Sequence, residues 1–325
     1  MKRIALTVFV LAALVVPVAG ARTTGTILNL VAYSTPKAAF ATIIPAFQKT
    51  TAGKDVSFTQ SYGASGDQAN AIVNGLPADV VDLSLAPDVQ TLVKAGLVAS
   101  DWNKNRYNGI VTHSVVVIVV RPGNPKHIRT WNDLIKPGVE VLTPNPVTSG
   151  GARWNVLAAY GAQLKLGKTP KQAADYLTKL FHHVPVQDTS ARNALNTFLG
   201  GKGDALLTYE NEALLAQRSG QPVYFNIPKA TIRIDNPLAV IQTSKNKAAA
   251  QAFASFLYTP TAQRLFAASG YRPVLASAGK GFHYKFPVRP QQFTVDYLGG
   301  WAKVQKTFFD PNTGLVTKIE QHLGG

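Results

Sequence analysis

Serine, threonine and glycine recur at four points where a strand-like run of the sequence passes into a helix-like run. The four junctions are Ser34-Thr35-Pro36, Ala64-Ser65-Gly66, Thr148-Ser149-Gly150-Gly151 and Thr189-Ser190-Ala191. The first turn of a helix leaves backbone N–H groups without intrahelical acceptors and carries the positive end of the helix dipole. A helix start can therefore bind an anion, and glycine lets the anion approach the backbone closely.

Ordinary helix capping is the alternative explanation for each junction taken alone. Ser65 and Gln68 have the spacing of a capping box, which requires no ligand. The junction at Ser149 differs, because Gly150 and Gly151 are poor helix formers unless something must come close to the backbone. Four such junctions in one chain favour a site for a small anion.

The elements that must position these junctions alternate between strands and helices. Strands are predicted at 26–33, 55–61, 80–86, 114–120, 140–143, 184–188 and 205–209. Helices are predicted at 36–49, 65–74, 150–166, 170–180 and 191–199. This order predicts an α/β fold with parallel-type sheets covered by helices. At 325 residues, 46% of them apolar, the chain is long enough for two domains.

The charge and composition exclude several classes of protein. The formal net charge is +16, but no run of four Lys or Arg and no interleaved aromatic ladder occurs. We therefore predict a solvated basic surface and no nucleic-acid partner. The absence of cysteine excludes disulfides, Cys-ligated zinc, thiol catalysis and an N-terminal lipid on cysteine. The six histidines include no i, i+4 pair, so no metal and no cofactor are expected.

The sequence also lacks the common motifs of enzymes. It contains no G-x-S-x-G elbow, P-loop or dinucleotide fingerprint. Glu210 and Glu212 could suggest a pair of carboxylates for hydrolysis. As near neighbours at a helix start they are expected instead to complement the helix dipole. We predict a chain without enzymatic activity, with an exported hydrolase as the alternative.

The N-terminus has the pattern of a secretory signal peptide. Lys2 and Arg3 precede an apolar stretch at 4–19, and small residues follow at Ala19 and Ala21. This pattern predicts cleavage after residue 21, and the stretch is short for a membrane anchor. Export without cysteine or lipid indicates a Gram-negative periplasm.

Long motifs then identify a family. The segment TPNPVTSGGARWNVLAAY at 143–160 closely resembles the signature of the periplasmic sulfate-binding proteins of ABC sulfate permeases. Further matching segments are YGASGDQAN at 62–70, ADVVDLSLAPDV at 78–89, RPGNPKHIRTWNDLIKPGVEV at 121–141, YENEALLA at 209–216 and GGWAKVQKTFF at 299–309. The resemblance implies a two-lobed class II periplasmic binding fold with sulfate between the lobes. It also implies delivery to the membrane permease subunits of an ABC importer, and we expect a monomer.

In that family the anion is held by backbone N–H groups at helix starts and by a few neutral side chains. The resemblance assigns this role to seven residues: Ser34, Ser65, Ser149, Gly150, Gly151, Ala191 and Tyr209. Gly66 and Arg192 follow two of these positions and are expected to support them. Ser34 stands where the family often has Asp, and that contact is through the backbone. Tyr209 stands where it often has Trp, and a hydroxyl can accept as well as donate.

The physical chemistry of sulfate agrees with such a site. Sulfate is fully ionised at neutral pH and only accepts hydrogen bonds, so a site made of donors suits it. Monohydrogen phosphate carries a proton and needs one acceptor, and a buried O–H facing only donors is costly. The nearby acceptors Asp67, Asp188 and Glu210 are expected to be helix-dipole and surface partners. Thiosulfate, molybdate and phosphate remain alternative ligands on the same fold.

The resemblance also predicts how the chain divides. Residues 22–112 and 234–325 are expected to form the first lobe and residues 113–233 the second. Crossovers near 115–120 and 233–236 are expected to form the hinge between them. The position of the C-terminal tail stays open, because such tails can cross back between the lobes.

Overall fold

The computed structural model of the chain describes residues 25–323. The signal peptide predicted at 1–21 therefore lies outside the described residues. Within the described range, no helix combines the length and the apolar character needed to cross a membrane.

Residues 25–323 contain ten strands and eleven α-helices. The strands are β1 (Thr26–Tyr33), β2 (Val56–Gly63), β3 (Val80–Asp82), β4 (Ile110–Val120), β5 (Val141–Leu142), β6 (Ala205–Tyr209), β7 (Tyr224–Asn226), β8 (Ala230–Val240), β9 (Arg272–Pro273) and β10 (Gln291–Phe293). The helices are α1 (Lys37–Gln48), α2 (Ser65–Val73), α3 (Ala86–Lys94), α4 (Gly150–Lys165), α5 (Pro170–His182), α6 (Ala191–Leu199), α7 (Glu210–Arg218), α8 (Lys247–Leu257), α9 (Pro260–Ala268), α10 (Gly300–Phe308) and α11 (Leu315–Leu323).

The strands form one curled sheet in the order β2-β1-β3-β8-β4-β6-β5. The pairs β1–β2, β1–β3 and β5–β6 are parallel, as the alternation of strands and helices predicts. The long strands β4 and β8 are antiparallel to each other, β4 is antiparallel to β6 and β8 is antiparallel to β3, so the sheet is mixed rather than wholly parallel. These features confirm an α/β fold.

Strands β4 and β8 connect the two ends of the sheet. Each is 11 residues long. Along 110–115, β4 pairs with β8, and along 116–120 it pairs with β6. The two parallel regions, each with its own helices, are therefore joined through this central pair.

Two strand predictions differ from the structure. The strand predicted at 80–86 ends at Asp82, because Ala86 already begins α3 with Pro87 in its first turn. The strand predicted at 184–188 is wrong: this segment has no regular structure. Pro185 has no N–H to donate. The carbonyl of residue 188, at the end of the segment, accepts from the N–H of residue 145, and the carbonyl of residue 183, just before the segment, accepts from that of residue 141.

The C-terminal tail packs on α4 and α5. Strand β10 extends the sheet beside β8, and α11 contacts α5. Trp301 packs edge-on against Trp154 with ring centroids 4.9 Å apart, and Phe308 meets Tyr160 at 4.8 Å. The tail is therefore anchored to the segment that follows β4 rather than to the helices around β1.

Candidate functional site

The four strand-to-helix junctions meet at one place in the fold. Gly66, at the start of α2, donates its N–H to the carbonyl of Thr148, which precedes α4, at 3.1 Å. The N–H of Arg192, in the first turn of α6, donates to Ser34 Oγ at 3.4 Å. Each bond joins a junction around β1 or β2 to a junction in the segment after β4. The fold thus brings together regions more than eighty residues apart in sequence.

The two glycines at the start of α4 lie where no side chain fits. A Cβ on Gly151 would sit 2.9 Å from Tyr209 Cε2 and 3.0 Å from the Cβ of Ala191. A Cβ on Gly150 would overlap the side chain of Ser84. Other groups approach the backbone closely at both positions, as the sequence predicts, and this is why both are glycine.

Several backbone N–H groups at these helix starts are free to donate. No acceptor within residues 25–323 pairs with the N–H groups of Ser34, Ser65, Gly150, Gly151 and Ala191. All of these residues are buried except Ser34, which is half-buried. Because buried N–H groups nearly always have a partner, this group of donors has the chemistry of an anion site.

The hydroxyls of the two predicted serines are used differently. Ser149 caps α4, its Oγ accepting from the N–H of Ala152 at 3.4 Å, and its own hydrogen remains available. Ser65 Oγ accepts from the N–H of Ser84 at 2.9 Å and donates to Asp88 at 2.5 Å. Burial raises the pKa of Asp88, although the bond from Ser65 opposes this shift. Ser65 can therefore reach an anion only through its backbone.

Tyr209 ends β6 and is 1% exposed. Its hydroxyl lies 2.6 Å from Ser84 Oγ, and either oxygen can be the donor. Burial raises the pKa of the Tyr209 hydroxyl well above its ordinary value, so this group stays protonated. The hydroxyl pair links β6 to the segment after β3.

Arg192 lies beside the site, but its charge is already neutralised. Its Nε and Nη2 donate to the two carboxylate oxygens of Glu212, each at 2.6 Å. Nη2 also donates to the carbonyl of Thr35 at 3.1 Å. Burial raises the pKa of Glu212, and the Arg192 charge opposes that shift. Arg192 thus holds α6 against the first junction.

Glu210 corrects a prediction. It is fully buried rather than a surface partner, and Arg272 donates to its two oxygens at 2.6 and 2.9 Å. Because Arg272 is 62 residues away in sequence, no local pattern indicates this pair. Glu210 and Glu212 each bind a different arginine, so they do not form the hydrolytic pair that the sequence could suggest.

Ser84 and Asp88 also belong to this site, although the sequence motifs did not point to them. Ser84 contacts both sides of the site, since its carbonyl also accepts from the indole N–H of Trp154 at 3.0 Å. The signal was present in the sequence, because Ser84 lies at a further strand-to-helix junction. Placing the end of the strand at 86 concealed that junction.

A partly open cavity of about 600 Å³ adjoins three of the four junctions, those at Ser34, Ala64 and Thr189–Ser190, whereas residues 148–151 do not line it. It is lined by Ser34, Lys37, Tyr62, Asp67, Ser190, Arg192 and Asn193 among others. Lys37 is exposed, so this basic side chain faces the route from solvent. Within residues 25–323, no group of three His, Asp or Glu side chains could hold a metal ion.

Comparison with known proteins agrees with this geometry. A family model described as bacterial extracellular solute-binding protein matches residues 28–272. A sulfate-binding protein of Synechococcus elongatus is 44% identical over 307 residues, which cover 92% of this chain and 87% of that protein. A thiosulfate-binding protein of Pseudomonas aeruginosa is 36% identical, covering 82% and 83% of the two chains.

Among solved structures, the sulfate-binding protein SubI from Mycobacterium tuberculosis superimposes with a TM-score of 0.85. The two are 44% identical, and the match covers 88% of this chain and 100% of that one. These matches confirm the resemblance carried by the sequence motifs. The chain belongs to the family of bacterial extracellular solute-binding proteins.

Proposed function

We propose that the protein is a monomeric periplasmic receptor that binds one sulfate and delivers it to the permease subunits of an ABC importer. The single observation that carries this proposal is the group of free N–H donors, four of them on buried residues, where the four junctions meet. The sulfate-binding relatives, at 40–44% identity over most of the chain, support the choice of ligand.

The donors divide into two kinds. Five residues bind the anion through backbone N–H groups: Ser34, Ser65, Gly150, Gly151 and Ala191. Ser149 and Tyr209 donate their hydroxyl hydrogens. Because sulfate only accepts hydrogen bonds, neutral donors and helix starts stabilise it without a free cationic side chain. Gly66 and Arg192 hold the two sides together through their bonds to Thr148 and to Ser34 and Thr35.

The ligand would lie between two lobes joined by β4 and β8. In this proposal, residues 22–112 and 234–290 form one lobe and residues 113–233 the other. The contacts of the tail with α4 and α5 favour grouping residues 291–323 with the second lobe. The bond between Gly66 and Thr148 would then close the cleft and break when the lobes separate.

Export completes the proposal. We infer that residues 1–21 are a signal peptide and that the mature chain begins at Arg22. N-terminal sequencing of periplasmic material should find Arg22 first. A mature form that keeps Lys2 and Arg3 would contradict this.

Calorimetric titration of the mature protein tests the proposed ligand. Sulfate, thiosulfate, molybdate and phosphate would each be titrated into the same preparation. We expect one sulfate per chain with the highest affinity of the four. Thiosulfate is the second candidate, because a thiosulfate-binding relative is 36% identical. No heat of binding with sulfate would overturn the proposal.

A further inference from the structure

The hydroxyls of Ser84 and Tyr209 form an isolated pair in the wall of the anion site. Both residues are 1% exposed, and their oxygens are 2.6 Å apart. Gly150 lies against the side chain of Ser84, and Gly151 lies against the ring of Tyr209. The pair therefore touches Gly150 and Gly151, two of the five residues whose N–H groups are free to donate.

Neighbouring groups leave the direction of the hydrogen bond in this pair unfixed. Within residues 25–323, each of the two hydroxyls has the other as its only hydrogen-bond partner. Asp88 accepts from Ser65 and Glu212 accepts from Arg192, and within residues 25–323 the buried Asp82 makes no hydrogen bond to either hydroxyl. No carboxylate therefore binds the hydrogen of Tyr209 and holds it in one direction.

The two directions present different chemistry to a bound anion. If Ser84 donates to Tyr209, the hydrogen of Tyr209 is free and the pair offers a donor. If Tyr209 donates to Ser84, a lone pair on the tyrosine oxygen is free and the pair offers an acceptor. An indole N–H at the same place could only donate.

We propose that the Ser84–Tyr209 hydroxyl pair sets the specificity of the anion site by accommodating protonated tetrahedral oxyanions, such as monohydrogen phosphate, as well as sulfate. The inference rests on the proposed function, because it concerns the same site. When sulfate binds, Ser84 donates to Tyr209, and Tyr209 donates its hydrogen to a sulfate oxygen. When monohydrogen phosphate binds, Tyr209 donates to Ser84, and the tyrosine oxygen accepts the hydrogen of the P–O–H group. This removes the cost of facing that hydrogen with donors alone.

The test compares sulfate and inorganic phosphate by calorimetry at about pH 8, where phosphate is mostly the dianion. The proteins are the parent, Ser84→Ala and Tyr209→Trp, with Ser255→Ala on the exposed face of α8 as the control. Without Ser84, the Tyr209 hydrogen has no acceptor in the wall, so the acceptor direction becomes costly. We expect measurable phosphate binding by the parent, and a rise of about tenfold in the ratio of phosphate Kd to sulfate Kd in both site variants.

Other results would overturn the inference. These are a parent that does not bind phosphate, or Ser84→Ala weakening both anions equally. Asp82→Asn serves as a rival test, because Asp82 is buried and its Oδ1 has no hydrogen-bond partner within residues 25–323. If Asp82→Asn abolishes phosphate binding while Ser84→Ala leaves the ratio unchanged, the acceptor is the carboxylate. Failure of the parent to bind sulfate would instead overturn the proposed function.

Discussion

Two polar regions of the molecule handle charge in opposite ways. At the proposed anion site, the backbone groups free to donate are neutral, and Arg192 is already paired with Glu212. In a second cavity of about 480 Å³, beside β4 and β8, the lining includes the ionisable side chains of His113, Arg233 and Asp235. There His113 and Arg233 contact the carboxylate of Asp235 at 2.6 and 2.7 Å, and all three are partly exposed.

The difference shows where charge is useful in this fold. A free cation at this site would attract anions without regard to their shape, and a histidine cation would also make binding depend on pH near its pKa of about 6.5. Neutral donors avoid this, and their geometry rather than their charge selects the ligand. The Asp235 carboxylate and its partners His113 and Arg233 form a charged cluster that ties the two long strands together, so titration of Asp235 should affect stability rather than affinity.

The largest effect is expected from filling the space at the start of α4. Gly151→Ala would put a Cβ 2.9 Å from the ring of Tyr209 and 3.0 Å from the Cβ of Ala191. Because this overpacks the site, the affinity for sulfate should fall on the order of 100-fold in calorimetry. Gly200→Ala is the control, since a Cβ there has its nearest neighbour at 3.4 Å. Unchanged affinity in folded Gly151→Ala would place sulfate elsewhere.

Ser149→Ala removes one hydroxyl donor from the same region. Hydrogen bonds to charged groups contribute about 1.5–3 kcal/mol, so affinity should fall on the order of 10- to 100-fold. The substitution also removes a helix cap. Thr169→Ala controls for that loss, because Thr169 caps α5 in the same way away from the junctions. If both variants bind sulfate like the parent, the Ser149 side chain does not contact the anion.

Tyr209→Phe keeps the ring and removes its hydroxyl. We expect about tenfold weaker sulfate binding, whereas Tyr209→Trp should retain measurable binding through its indole N–H. Tyr176→Phe is a matched control, since this buried hydroxyl donates to the carbonyl of Trp131 instead. A Tyr209→Phe protein that binds sulfate as tightly as the parent would show that Tyr209 only packs the end of β6.

The smallest effect concerns the charged cluster. Burial alone would raise the pKa of Asp235. The hydrogen bonds and charges of His113 and Arg233 outweigh this effect, so the pKa of Asp235 is lowered overall. A carboxyl with a depressed folded-state pKa stabilises the fold above its unfolded pKa of about 3.9 and loses this contribution as pH falls through the folded value.

Asp235→Asn should therefore unfold at lower urea than the parent at neutral pH, and the difference should shrink below about pH 4. Asp175→Asn, which removes an exposed ion pair with Lys171, is the control. A constant difference in urea midpoint across this range would contradict the assignment.

The same contrast explains what could be predicted from the sequence. The helix starts, the glycine pair and the α/β order depend on local signals, and the structure brings Ser34, Ser65, Ser149 and Ala191 together as the motifs imply. The partners supplied by distant residues left no such signal. Arg272 neutralises Glu210 from 62 residues further along the chain. Ser84 contacts Tyr209 from just after β3, a strand whose end the hydrophobic pattern placed at residue 86.

The central claim is that an ionised ligand is bound by donors that do not titrate. The most direct test is the affinity for sulfate measured by calorimetry at intervals between about pH 5 and 9. Because backbone N–H groups and hydroxyls have no pKa in that range, we expect the dissociation constant to change little. A steep loss of affinity near the pKa of histidine, about 6.5, would contradict the account and show that a charged side chain binds the anion.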